Sequence, residues 1–181
     1  MSEVRMIDVK NQRLLARLEI LDVLARYVRG CDRGDGDILA SCYHIDAVEE
    51  HAGNFVGNAH DYIYEAIPRI LKMGAMQHLL GSSHIEFKGD MAWVETNVWT
   101  FLRIKVNGGF TDTLTGGRIF DLFELREGDW KIAHRKTIFD WNRDAPMAEG
   151  WVNGLIDFSN QGALMGCKGE EDPSYRGFSS I

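Results

Sequence analysis

Three glycine-bearing turn signals, Lys88-Gly89-Asp90, Asn107-Gly108-Gly109 and Glu127-Gly128-Asp129, cut residues 78–140 into four long segments. Asn-Gly is a strong hairpin signal, because tight turns need residues that accept positive φ. In the second segment Thr96, Val98 and Thr100 alternate with Glu95, Asn97, Trp99 and Phe101, which gives a strand with two unlike faces. Strands are expected at His78–Phe87, Met91–Val106, Phe110–Leu125 and from Trp130 to about Asp140. The text upstream has helical spacing, so the chain reads as α+β: helices first, then a curved, antiparallel sheet that they cover on one face.

Residues up to about Asn11 are expected to be loosely held, followed by a long helix to Cys31 or Asp32. Leu14, Leu18, Leu21, Ala25 and Val28 recur at helical spacing and mark its expected buried face. Gly34-Asp35-Gly36-Asp37 breaks the chain and supplies acidic caps for a short helix, Ile38–Tyr43. Two short strands, Ala47–His51 and Asn54–Val56, turn at Ala52-Gly53. A third helix starts near Asn58, with Ile63, Ile67, Ile70 and Leu71 as its apolar face, and Pro68 kinks or ends it. The tail from Asn142 is rich in Gly and polar residues, yet Met147, Trp151, Leu155, Ile156 and Phe158 give it apolar surface with which to dock.

Asp32 is the awkward residue of the first helix. A helix C-terminus carries partial negative charge, and an acid there costs roughly 0.3–1 kcal/mol unless something offsets it. Either Asp32 turns out to solvent as the helix ends, or a partner inside the fold holds it.

Composition narrows the function classes. The 181 residues carry a net charge of −7, which argues against a general nucleic-acid binder. No run approaches the roughly 18 apolar residues of a membrane span, and the polar start Met1-Ser2-Glu3-Val4-Arg5 is no signal peptide. Cys31, Cys42 and Cys167 lack CxxC spacing, so reduced thiols in a cytoplasmic protein are expected. His44, His51, His60, His84 and His134 show no HxH, HExxH or Cys–His spacing, so no metal site is expected. The glycines form turns and make no GxGxxG phosphate cradle.

Several short motifs arrive in an order that resembles the SnoaL-like, scytalone dehydratase-like branch of the nuclear transport factor superfamily, the cystatin-like α+β cones. Tyr27-Val28-Arg29-Gly30-Cys31-Asp32-Arg33-Gly34-Asp35 resembles that branch's first-helix ending, and Gln77-His78-Leu79-Leu80-Gly81 the beginning of its third strand. Gly116-Gly117-Arg118 and Gly128-Asp129-Trp130-Lys131-Ile132-Ala133-His134-Arg135 resemble its last hairpin. The likeness covers about residues 12–141. It implies a cone-shaped barrel: a strongly curved, mixed and mostly antiparallel sheet packed against about three N-terminal helices and enclosing a cavity. Residues 1–181 are then one domain, with 142–181 as a tail that caps the cavity or a subunit interface.

Dehydratases and eliminating lyases of this superfamily pair a His with an Asp in that cavity. The resemblance places the aspartate at Asp32, the histidine at His78, and a tyrosine used by bile-acid dehydratases at Tyr27. The second cavity histidine of scytalone dehydratase has no clear counterpart. An Asp–His pair supplies a general base without a cofactor, since imidazole titrates near 6.5 and a carboxylate beside it fixes the tautomer. The implied function is a cofactor-independent lyase or isomerase, most concretely a dehydratase acting on a hydrophobic small molecule that is aromatic, polyketide or steroid-like. The alternative is a non-catalytic binding protein, or a small structural subunit of a ring-hydroxylating dioxygenase.

Candidate cavity residues beyond the pair are Tyr43, Val98, Arg118, Phe120 and Trp141. Arg118 either points inward to orient a carboxylate or carbonyl, or pairs with Asp121 or another acid. Tyr43 lines the cavity mouth or packs in the core. Trp141, Met147 and Trp151 form a lid or anchor the tail. Trp99 and Phe101 are expected on the opposite sheet face, and an aromatic outer face implies a homo-oligomer, dimer or trimer.

Overall fold

A computed structural model describes residues 3–51, 53–150 and 165–180. Helices α1 (Glu3–Arg33) and α2 (Gly36–Ser41) precede strands β1 (Tyr43–His51) and β2 (Phe55–Asn58), and helix α3 (Ala59–Ile70) comes next. The meander β3 (Met76–Lys88), β4 (Met91–Val106), β5 (Gly109–Arg126) and β6 (Asp129–Pro146) follows. The six strands form one sheet in the order β2-β1-β6-β5-β4-β3, with β1 parallel to β6 and the other neighbours antiparallel. The fold is therefore the expected α+β cone, and its sheet is open rather than closed. No helix among the described residues is long and apolar enough to cross a membrane.

Local chemistry explains where the elements start and stop. Gly34 adopts φ 70°, the left-handed conformation that closes a helix, and the Asp35 N–H donates back to the Gly30 carbonyl at 2.8 Å. The Asp35 carboxylate then caps α2, accepting from the Ile38 N–H at 3.0 Å. Asn58 caps α3 as its sequence position suggests, accepting from the His60 N–H at 2.8 Å. Pro68 lies in the last turn of α3, which runs only to Ile70.

Two expectations about α1 need correction. The helix begins at Glu3, well ahead of Asn11. Its buried face is Ala16, Ile20, Val23, Leu24, Tyr27 and Cys31, whereas Leu14, Leu18 and Leu21 are exposed. The two stripes are offset by two positions, about 200° around a helix. Apolar residues occupy both sides, so periodicity alone favoured the wrong one. Burial of the Tyr27 side also turns Cys31 and Asp32 toward the sheet.

Behind the helices lies a layer of buried charge. Arg135 and Asp121 are both fully buried and form a bidentate pair at 2.7 and 2.8 Å. The guanidinium carbon sits 3.8 Å from the centroid of the Tyr27 ring, a cation–π contact. Arg135 Nη1, buried beneath these groups, makes no hydrogen bond. Glu49, also fully buried, accepts a 2.8 Å hydrogen bond from the Tyr43 hydroxyl. Burial pushes the Asp121 carboxyl above its ordinary range, against the pull of Arg135 beside it.

The tail to Pro146 extends β6 along β5, and Glu149 pairs with Arg103, whereas residues 165–180 return to the end of α1. The Gly169 N–H donates to the Arg33 carbonyl at 2.7 Å, and Asp172 pairs with Arg33 at 3.3 Å. The Tyr175 hydroxyl donates to Asp35 at 2.7 Å, and the Arg29 guanidinium lies 4.8 Å over the Tyr175 ring. Trp151, Leu155, Ile156 and Phe158, proposed as docking residues, lie outside the described residues.

Two predictions follow from packing. Asp121→Asn leaves Arg135 buried without its counter-charge and should lower unfolding free energy by about 3–5 kcal/mol in urea titrations. At the β5–β6 bulge, a Cβ on Gly117 would strike the Ile138 carbonyl oxygen, part of the backbone, while the nearest atoms to one on Gly116 belong to the half-exposed Trp141 side chain. Gly117→Ala should therefore depress the thermal midpoint more than Gly116→Ala, and equal midpoints would contradict this packing.

Candidate active site

Asp32 is the last-but-one residue of α1, and His78 lies near the start of β3. Helix and strand meet there through one carboxylate. Both oxygens of Asp32 accept the His78 main-chain N–H at 3.1 Å, and Oδ1 also accepts from the ring Nδ1 at 2.6 Å. A carboxylate can only accept, so Nδ1 carries the proton and Nε2 of the neutral ring keeps its lone pair. The side chains of His78 and Asp32 are 16% and 12% exposed, open enough for solvent contact yet largely enclosed. The acid is held inside the fold, which settles the choice posed by its position at the helix end.

The same join places His78 on the wall of a cavity of about 220 Å³ between α1, α3 and the sheet. Strand alternation explains the lining. His78 faces Thr100 in register, Thr100 faces Thr115, and Val98 faces Gly117, so Val98, Thr100 and Leu102 project to one side. Ile119 and Thr137 pair across the next seam and continue this wall. From the helices come Tyr27, Cys31 and Tyr62, with Met73 from the turn after α3 and Arg69 exposed at the rim.

Tyr27 reaches the cavity beside Cys31, with the Arg135 guanidinium over its ring. Burial pushes the Tyr27 phenol well above its ordinary value, so it stays protonated and able to donate. Burial likewise pushes the Cys31 thiol up to about 12, which leaves it a poor nucleophile.

The structure thus brings Asp32, His78, Tyr27 and Val98 to one cavity and separates the other candidates from it. Tyr43 is 3% exposed and packs in the core against Glu49 and Tyr27, away from the cavity mouth. Phe120 pairs with Glu95, not with an inward residue, so it lies on the outer sheet face beside Trp93. Arg118 is outside too, paired with Asp140 at 3.0 Å and with Glu95 at 3.6 Å. Its partner is another acid, and Asp121 belongs to Arg135. Trp141 stacks edge-on against Trp99 on that outer face, while Phe139, beyond the bulge at Gly116/Gly117, turns inward to the cavity.

His51, which has no metal-ligand spacing in the sequence, lines this cavity. Its Nδ1 lies 3.1 Å from Glu49 Oε1 and its ring stacks on Tyr62 at 4.9 Å. The signal was present in the sequence, because alternation puts Ala47, Glu49 and His51 on one face of β1. Among the described residues no three His, Cys, Asp or Glu side chains stand close enough to hold a metal ion.

Solved structures share this arrangement of elements. A hexachlorocyclohexane dehydrochlorinase (LinA, type 2) superposes with a TM-score of 0.68 at 20% identity, covering 85% of this chain and 99% of the other. A candidate scytalone dehydratase from Novosphingobium aromaticivorans DSM 12444 gives 0.67 at 20% identity, covering 77% and 93%. A cystatin-like protein of unknown function from Nostoc punctiforme PCC 73102 gives 0.57 at 17% identity, covering 70% and 92%. At such identities the likeness is one of fold. None of the curated proteins is similar enough in sequence to count as a relative. The family profile of the SnoaL-like domain matches residues 12–136, more than half of the chain, and the protein belongs to that family.

Proposed function

We propose that the protein is a cofactor-independent lyase or isomerase, most concretely a dehydratase that uses Asp32 and His78 as its general acid/base pair. The observation that carries this reading is the 2.6 Å bond between His78 Nδ1 and Asp32, made at the wall of an apolar cavity. A neutral imidazole oriented in this way offers Nε2 to a proton made acidic by a neighbouring carbonyl. As the C–H bond breaks, the carbonyl gains enolate character, and the un-ionised Tyr27 phenol is the donor at hand to stabilise that oxygen. The C–O bond to the next carbon then breaks, and His78 returns its proton to the departing hydroxide, which leaves as water.

The size of the cavity bears on the substrate. About 220 Å³ is less than the roughly 300–1,000 Å³ of most ligand pockets, which favours a one- or two-ring molecule over a steroid. Val98, Leu102, Ile119 and Phe139 give it apolar walls, and Thr100, Thr115 and Thr137 supply a few hydroxyls. The superposed dehydrochlorinase and the candidate dehydratase are named for eliminations, which agrees with this reading. A purely binding protein would need the cavity and the join of α1 to β3, but not an imidazole held on the cavity wall by a carboxylate.

A β-hydroxy ketone, 4-hydroxy-4-phenylbutan-2-one, tests the reaction class, because its dehydration yields a conjugated enone that absorbs in the near ultraviolet. His78→Ala and Asp32→Asn should each lower turnover by about 10²–10⁴-fold with folding intact by circular dichroism. Full activity in either variant removes the assignment. Iodoacetamide at pH 8 should leave turnover intact and Cys31 unmodified by mass spectrometry, because a thiol titrating at about 12 is almost wholly protonated there.

A further inference from the structure

The cavity has a second imidazole–carboxylate pair, and it enters from the opposite end of the sheet. His78 lies on β3, one edge of the six-stranded order, and His51 on β1, next to the other edge. Curvature brings both rings to the same cavity. His51 Nδ1 donates to Glu49 at 3.1 Å, so its Nε2 is the nitrogen left for a ligand, just as in His78. The His51 side chain is 32% exposed, which gives water access to a ring whose carboxylate partner is wholly buried.

We infer that His51, oriented by Glu49, is the general acid that protonates the leaving oxygen, while His78 acts as the base. This rests on the lyase reading above and divides between two histidines a proton cycle that one could otherwise perform alone.

The surrounding charges distinguish the two rings. The charged groups at this end of the cavity are the buried Glu49, the buried Asp121–Arg135 pair and, at the rim, Arg69. The other polar groups packed here, the Tyr43 and Tyr62 phenols, are held un-ionised by burial. Asp121 has Arg135 as its partner, whereas among the described residues the cation-capable group bonded to Glu49 is His51, its other donor being the Tyr43 hydroxyl. Around His78 the balance differs. Asp32 already receives two hydrogen bonds from the His78 main chain, and the Lys168 ammonium donates to its backbone carbonyl at 3.1 Å. Arg33, the next residue of the helix, is occupied by Asp172. Asp32 therefore has a main-chain N–H donor and a nearby ammonium besides the His78 ring.

The atoms balance. His78 Nε2 takes the proton α to the carbonyl, and the C–H electron pair becomes the new C=C bond through the enolate. The C–O bond breaks towards oxygen, which takes the proton from His51 Nε2 and departs as water. His78 then holds one extra proton and His51 lacks one, and exchange with solvent through the partly exposed rings restores both.

The experiment compares two leaving groups on wild type, His51→Asn, Glu49→Gln, His78→Ala and Asp32→Asn. One substrate is 4-hydroxy-4-phenylbutan-2-one, whose hydroxide needs a proton to leave. The other is its 4-acetoxy counterpart, whose acetate departs unprotonated. Asn at position 51 keeps a nitrogen donor for Glu49, and Gln at position 49 keeps the hydrogen bonds while removing the charge. Both variants should lower the ratio of hydroxy to acetoxy kcat/KM by about 10²-fold, the usual worth of a general acid. His78→Ala and Asp32→Asn should lower both rates and leave the ratio near the wild-type value. An unchanged ratio in His51→Asn overturns the assignment of His51 even if the base variants behave as expected. Undiminished rates in His78→Ala and Asp32→Asn overturn the lyase reading itself.

Discussion

The Asp32 carboxylate joins the end of the longest helix to an edge strand, and the geometry of the cavity depends on that join. Three N–H···O contacts from one residue, two from its main-chain N–H and one from its ring, converge on Asp32. They fix where α1 ends against β3 and which way the imidazole faces. They also remove the electrostatic objection to an acid at a helix C-terminus, because donors from outside the helix replace the solvent that the carboxylate gives up. A single side chain thus closes a helix, anchors a strand and selects a tautomer.

Behind this join, buried charge holds the cavity wall still. Arg135 and Asp121 cost free energy to bury, and a pair of this kind is often no more stabilising than a well-packed apolar pair. Its effect here is on orientation. The guanidinium under the Tyr27 face fixes the ring that reaches the cavity, and Glu49, on the same buried layer, fixes Tyr43 and His51. Removing one member would leave another charged group buried without a partner, so the members of this layer hold one another in place.

The architecture was legible in the sequence because it rests on local signals. Turns at Gly89, Gly108 and Gly128 set the meander, Asn58 capped α3, and the motif around Asp32 matched a family in which His78 had a place. Facing was harder, because it depends on tertiary register. Val98 was read correctly as inward, yet Phe120 pairs with Glu95 and so falls on the opposite face. Trp141 and Phe139 are separated by one residue and would share a face in a regular strand; the bulge opposite Gly116 and Gly117 sends them to opposite sides. Leu14, Leu18 and Leu21 misled because α1 is apolar on two sides. His51 was missed for another reason: its strand lies near the far end of the sheet from β3, and only curvature brings the two together.

The C-terminal segment shows how charge at the helix end is managed without disturbing the pair. A cation near Asp32 could bind its carboxylate, and it would then compete with His78 for the same oxygens. Lys168 instead donates to the Asp32 backbone carbonyl, one of the acceptors that a helix leaves unpaired at its C-terminus. It thereby offsets the negative end of the helix dipole while the carboxylate keeps its histidine. Burial lowers the Lys168 ammonium from its ordinary value, although Asp32 opposes the shift. Two acids secure the segment that carries it. Asp172 accepts from the Cys167 and Ser174 N–H groups, and Asp35 accepts the Tyr175 hydroxyl while capping α2. Hydrogen bonds outweigh burial at both, holding their carboxyls below the usual range. Their stabilising effect is therefore present above the ordinary carboxylate range and fades as pH falls through it. The tail is thus fastened most firmly at neutral pH, where Asp32 and His78 must stay in register.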